Sequence, residues 1–143
     1  MACLYFTTGY AIKTHDKIIE ISGGAKGILN VGIIDSILNH IQNDDYYPEL
    51  EDKLNHLVFS VNKAHSFNDG NKRSSIALGA FFLEINGLDA IVTKFIIEME
   101  NIAVHVADNR IDKELLYEII KSLIYEEDYS EELKLKIIHA IST

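Results

Sequence analysis

A chain of 143 residues, 48% of them hydrophobic, is long enough to bury one sizeable core and too short for two ordinary domains, so a single domain over residues 1–143 is expected. Acidic side chains outnumber basic ones 22 to 13, giving a formal charge of -9, and this argues against a general nucleic-acid binder because phosphate contacts need lysine and arginine. Cys3 is the only cysteine, which excludes an internal disulfide and a cysteine zinc cluster. With no apolar run of about 20 residues and no secretion-signal pattern at the start, a cytoplasmic protein that makes no membrane contact is expected.

In chain order, residues 4–7 read as a short strand. A helix follows from about Tyr10, with Ile12, Ile18 and Ile19 on or near one face, and stops at Gly23-Gly24. Asn30 suits the N-cap of the next helix, where Ile33, Ile34, Ile37, Leu38 and Ile41 recur at helical spacing. Residues 42–47 form a polar loop. Pro48 fits the first turn of a helix carrying Leu50, Leu54, Leu57, Val58 and Val61, an amphipathic series that ends at His65. The segment after Gly70 has no proline, consists mostly of helix formers, and meets a left-handed C-terminal cap at Asn86-Gly87. Its apolar residues, Ile76 to Ile85, surround the helix almost completely, which predicts the central buried helix. Thr93, Asp112 and Ser130 are expected to cap three more helices. Their inward residues are predicted to be Met99, Ile102, Ala103 and Val106, then Leu115, Leu116, Ile119, Ile120, Leu123 and Ile124, then Leu133, Ile137, Ile138 and Ile141. The fold class is all-α, with about seven helices.

The chemistry concentrates between residues 63 and 74. His65 is a base able to take a proton from an attacking hydroxyl, and Asp69 is a carboxylate able to hold a divalent cation. Gly70 and Asn71 turn the backbone toward an anion, with Lys72 and Arg73 beside it. A loop feeding a helix start also gathers orphan N–H groups and the positive end of the helix dipole. Such parts serve phosphoryl or nucleotidyl transfer. Singly, each residue has an ordinary explanation as a helix-end histidine, a polar turn or solvated charges; the ordered set favours a site.

The run His65-Ser66-Phe67-Asn68-Asp69-Gly70-Asn71-Lys72-Arg73 resembles the signature of the Fic superfamily, H-x-F-x-[D/E]-G-N-[G/K]-R, and its lysine resembles the death-on-curing branch. His15-Asp16, residues 21–28, residues 32–36, Tyr47-Pro48 and residues 82–87 extend the resemblance over roughly residues 10 to 125. It implies that His65 is the general base for a target hydroxyl, that Phe67 packs inward and holds the loop, and that Asp69 ligates magnesium through nucleotide phosphates. Gly70 and Asn71 would then shape the anion cradle, with Lys72 and Arg73 on the phosphates. ATP and magnesium are the implied cofactors. Residues 42–47, with Tyr46 and Tyr47, are placed by the resemblance as a flap that aligns the target by strand-like pairing; a plain interhelical loop is the equal alternative.

Two departures bear on the reaction. Relatives that transfer AMP usually carry glycine where Lys72 stands and a second arginine where Ile76 stands. Both favour phosphorylation over AMP transfer. By resemblance, the setting is the toxin of a toxin–antitoxin pair, acting on a protein of the translation machinery and restrained by a separate antitoxin chain. The rivals are AMP transfer, a Fic-like binding module that has lost catalysis, and a helical interaction protein whose motif is only a turn. Ser122 and Glu126 approach an inhibitory-helix pattern without its final small residue, and read as ordinary helix positions. His15, His40, His56, His105 and His139 lack ligand spacing and are expected to be structural or exposed. Cys3 is given no chemistry.

Overall fold

The computed structural model describes residues 2–28, 30–64 and 66–142. Among these residues are seven α-helices and no strand: α1 (Thr8–Ser22), α2 (Val31–His40), α3 (Leu50–Lys63), α4 (Asn71–Ile85), α5 (Val92–Ala107), α6 (Lys113–Tyr125) and α7 (Glu131–Ile141), with a short 3₁₀ turn at Asp89–Ile91. The all-α expectation holds.

The caps explain most boundaries. Thr7, Asn30, Asp112 and Ser130 each accept a hydrogen bond from a first-turn N–H of α1, α2, α6 and α7 respectively. At the end of α4, the Leu88 N–H donates to Leu83 O (2.9 Å) and the Gly87 N–H to Glu84 O (3.1 Å), the paired bonds of a Schellman cap. Two expected starts shift. Glu49 and Asp52 form a reciprocal capping box at the head of α3, so that helix begins at Leu50 and Pro48 lies before it. The turn Asp89–Ile91 winds directly into α5, leaving Thr93 inside the helix and not at its cap.

Residues 4–7 form no strand. The Asn86 carboxamide takes a strand's place, accepting from the Leu4 N–H (2.8 Å) and donating to Leu4 O (3.0 Å).

α4 lies centrally against α1, α3 and α5, with Leu78, Phe82 and Leu83 fully buried in a core shared with Leu54, Leu57, Phe95, Met99 and Leu116. Gly79 permits the close approach, because a Cβ there would stand 2.8 Å from both Phe95 and Val58. Truncating a buried phenylalanine such as Phe82 would cost about 3–5 kcal/mol, enough to make this layer decisive for stability. α7 differs from expectation in part: Leu133 is buried and Ile137 and Ile141 pack partly buried against the core, but Ile138 is 56% exposed.

Candidate active site

The motif loop joins the end of α3 to the start of α4, and its shape comes from backbone contacts. Gly70, the residue before α4, has φ 80° and ψ 18°, a left-handed conformation that favours glycine. A Cβ there would lie 3.1 Å from Ile19. Asn71 clamps the loop, accepting from the Phe67 N–H (3.2 Å) and donating to Phe67 O (3.0 Å). Its carboxamide is thereby occupied, and Asn71 contributes shape and its backbone N–H to the site. Phe67 is fully buried and stacks on His15, with ring centres 3.8 Å apart and planes within 5°.

His15, on α1 and fully buried, fixes the loop from the opposite side. Its Nε2–H donates to Asp69 O at 2.6 Å, and a carbonyl only accepts, so the hydrogen sits on Nε2. Nδ1 lies 3.3 Å from Asp16 Oδ1. The structural role expected of His15 is thus specific: it holds the backbone next to the motif carboxylate.

Residues 23–28 and Asn30 run alongside the motif loop. The Asn30 N–H donates to Ser66 O (3.1 Å), the Asn68 N–H to Gly27 O (3.0 Å), and Ile28 forms an isolated antiparallel bridge with Phe67. Strand-like pairing at the motif therefore belongs to this segment. Residues 42–47 are turns at the opposite end of α3, about 20 Å of helix away. Gly24 lets the segment close down, since at φ 126° a Cβ would stand 2.7 Å from Asp69 Oδ2. Glycines at 23, 24 and 27 were the signal in the sequence, because clustered glycines mark close backbone approach.

Asp69 accepts from the Ala25 N–H at Oδ2 (3.2 Å) and from the Gly70 N–H at Oδ1 (2.7 Å). These two bonds, Ala25 first, hold its carboxyl below the usual range, with Arg73 and Lys72 adding to the effect. Arg73 donates to Gly23 O (3.1 Å) and lies 3.8 Å from Asp69 Oδ1, a partly exposed pair of small energetic weight. Lys72 is exposed. The first-turn N–H groups of Asn71, Lys72 and Arg73 have no acceptor within α4.

Together these residues line a cleft of about 430 Å³, bounded by Asn68 to Arg73 and, on the far wall, by Asn62 and Ala107. Asn62 and Ala107 escape a motif reading because they come from α3 and α5. Lys63 turns away, its ammonium held by Val106 O (3.3 Å) and the Asn109 side chain at the C-terminal end of α5, where a cation suits the dipole. His65 lies outside the described residues.

Asp69 is a carboxylate that could give a magnesium ion one ionised, hard oxygen ligand; among the described residues no group of three or more histidine, cysteine or carboxylate side chains is placed to hold a metal. One carboxylate with the remaining positions left to phosphate and water fits that ion's habit.

The other expectations resolve simply. His56 is half-buried on α3, while His40 and His139 occupy the last turns of α2 and α7. Ser122 is buried within α6, and Glu126 ends that helix. Burial pushes the Cys3 thiol up, which disfavours the reactive thiolate. No helix among the described residues is long and apolar enough to cross a membrane.

Residues 5–83, more than half of the chain, match the model of the Fic/DOC family. "Protein kinase doc" of Escherichia phage P1 is 32% identical over 81 residues, covering 54% of this chain and 64% of that protein. "Toxin Doc" of Mycolicibacterium smegmatis is 36% identical over 70 residues, covering 46% of this chain and 54% of that protein. The chain thus spans less than two thirds of the length of either relative. The family match includes α1, the segment beside the motif and nearly all of α4, the elements that build the cleft, and the chain accordingly belongs to the Fic/DOC family.

Proposed function

We propose that the motif cleft binds ATP with magnesium and that the chain passes the γ-phosphoryl group to a hydroxyl side chain of a target protein. The observation that carries this reading is the convergence at Gly70 to Arg73: a left-handed glycine, unpaired helix-start amides and two cations line a cleft beside an ionised carboxylate. Donors in that density suit a polyphosphate.

In this reading His65 takes the proton of the target hydroxyl as its oxygen bonds to the γ-phosphorus, and the bond to the bridging oxygen breaks to leave ADP. The Asn71, Lys72 and Arg73 amides stabilise the phosphate oxygens, and Asp69 holds magnesium against them. Magnesium supplies charge neutralisation on the phosphates when bound. Arg73 donates to Gly23 O through Nη1 and keeps its other N–H groups for an anion. Each Asp69 oxygen accepts one N–H bond and keeps a lone pair with which it would hold the metal.

Lys72 in place of glycine and Ile76 in place of arginine support phosphoryl over AMP transfer, as does the name of the phage relative. The name of the mycobacterial relative supports a toxin role. We place the target in the translation machinery and assign restraint to a separate antitoxin. Incubation with translation factors and ATP labelled at either the γ or the α phosphorus tests the reaction. Label transferred only from the γ position is expected; label from the α position means AMP transfer, and no label from either means a binding module.

A further inference from the structure

We infer that a second cleft, at the head of α3 and independent of the transferase reading, is a docking site for an arginine side chain of a basic partner protein. It has a volume of about 480 Å³ and lies between residues 46–55 and the start of α6. Tyr46, Tyr47 and Tyr117 supply aromatic walls, with Asp52 and Glu114 among the charges around them.

The independent sign of a ligand is Asn55. This residue is only 5% exposed and lines the cleft; its Nδ2 donates to Lys113 O at 3.1 Å, which fixes the orientation of the amide. Oδ1 is then a buried acceptor without a hydrogen-bond partner. Buried acceptors are ordinarily satisfied, so this one awaits a donor.

The remaining charges narrow the donor's chemistry. Lys113 is the basic residue of the lining; its Nζ lies 2.9 Å from His56 Nδ1 and 5.8 Å from the centre of the Tyr47 ring, so its charge is directed to those two side chains. Glu118 accepts from Lys136 at 2.9 Å, and Asp52 Oδ2 accepts from the Glu49 N–H at 3.0 Å, leaving Asp52 its negative charge. Lys121 lies over the Tyr117 ring at 5.9 Å; burial first, and then the carboxylates of Asp52, Glu51 and Glu49, push that phenol up. The cleft therefore offers acceptors, negative charge and ring faces. A guanidinium matches all three, being planar, permanently charged, rich in donors and able to stack flat on tyrosine; an ammonium also donates and sits over rings, but lacks the planar fork that stacks and donates at once. The chain's charge of -9 draws a basic partner toward it.

The test is titration of the isotope-labelled full chain with tetra-arginine and, separately, tetra-lysine, followed by amide and side-chain NMR shifts. Saturable shifts are expected at Tyr46, Tyr47, Tyr117 and the Asn55 amide, with tetra-arginine binding at least three-fold tighter. Asn55→Leu is expected to weaken tetra-arginine at least five-fold. Glu114→Lys, at an exposed position that does not threaten the fold, is expected to remove the localised shifts and decides the matter if Asn55→Leu does not fold. Unchanged affinity in either folded variant, equal affinity for the two peptides, or shifts scattered over the acidic surface would overturn the proposal.

Discussion

The two clefts at opposite ends of α3 are built from opposite materials. At its C-terminal end the motif cleft is made of backbone: a left-handed Gly70, helix-start amides and an Asn71 carboxamide tied to Phe67. At its N-terminal end the tyrosine cleft is made of side chains, with Asn55, Asp52, Glu114 and three rings. The first offers donors and the second acceptors. Asn55 and Asn62 stand about 10 Å apart along the helix, so one rigid element carries both fields and keeps them separate. The lesson concerns tolerance. A backbone-built site is broken by a change in φ, whereas a side-chain-built site is tuned by single charges.

The comparison is broken most severely at His65. His65→Ala is expected to lower γ-phosphoryl transfer by roughly two to four orders of magnitude, the usual contribution of a positioned base, while leaving arginine-peptide binding at the other cleft unchanged. Transfer at the unmutated rate would remove His65 from the mechanism.

Between the clefts sits His56, and it couples the fold to pH. Nδ1 accepts from Lys113 (2.9 Å) and lies near Tyr47 Oη (3.1 Å), while burial, then the charge of Lys113, then His40, lower its pKa to about 4. Unfolded, it titrates near 6.5, so on acidification the unfolded chain binds this proton first. The stability contribution is complete above about pH 6.5 and is lost as pH falls toward 4. Urea unfolding at pH 7.5, 6 and 5 should show this slope, and His56→Gln should flatten it. An equal slope in both proteins would assign the acid loss to carboxylates.

How much of this was legible beforehand follows from the kind of signal. Caps at Asn30, Asp112 and Ser130 were readable because a short polar side chain before an apolar period has a local cause. Pro48 misled because the Glu49–Asp52 box competes for the same helix start. Residues 66–74 announced themselves as an ordered set of residue types. The pairing of Gly27, Ile28 and Asn30 with that loop did not, because it depends on which segment tertiary packing brings across, and the tyrosines at 46 and 47 drew attention to the wrong end of α3. Asn55 and Asn62 were invisible: a single asparagine on an apolar helix face carries no periodic signal, and its meaning lies in which bonds it fails to make.

The backbone origin of the motif cleft is sharpened at Gly24. Gly24→Ala combines a φ of 126° with a Cβ 2.7 Å from Asp69 Oδ2, whereas Gly23→Ala, at φ 81°, has no atom within 4 Å. Both substitutions are strained, at about 1 kcal/mol or more. Only Gly24→Ala should also displace residues 23–27 from Asp69, seen as faster hydrogen exchange at the Ala25 amide. Equal exchange in the two variants would mean that the close approach is incidental.

The smallest effect separates charge from capping at the head of α3. Asp52 both accepts the Glu49 N–H in the capping box and contributes negative charge to the tyrosine cleft. Asp52→Asn retains an oxygen for the cap but loses the charge. Stability should therefore fall by no more than about 0.5 kcal/mol, the lower part of the range for a carboxylate at a helix start. Tetra-arginine affinity should fall two- to three-fold, with the loss shrinking at high salt because the site is open to solvent. A larger drop in stability with unchanged peptide binding would make Asp52 a cap alone, and would leave Glu114 as the charge that distinguishes this cleft from the one at the motif.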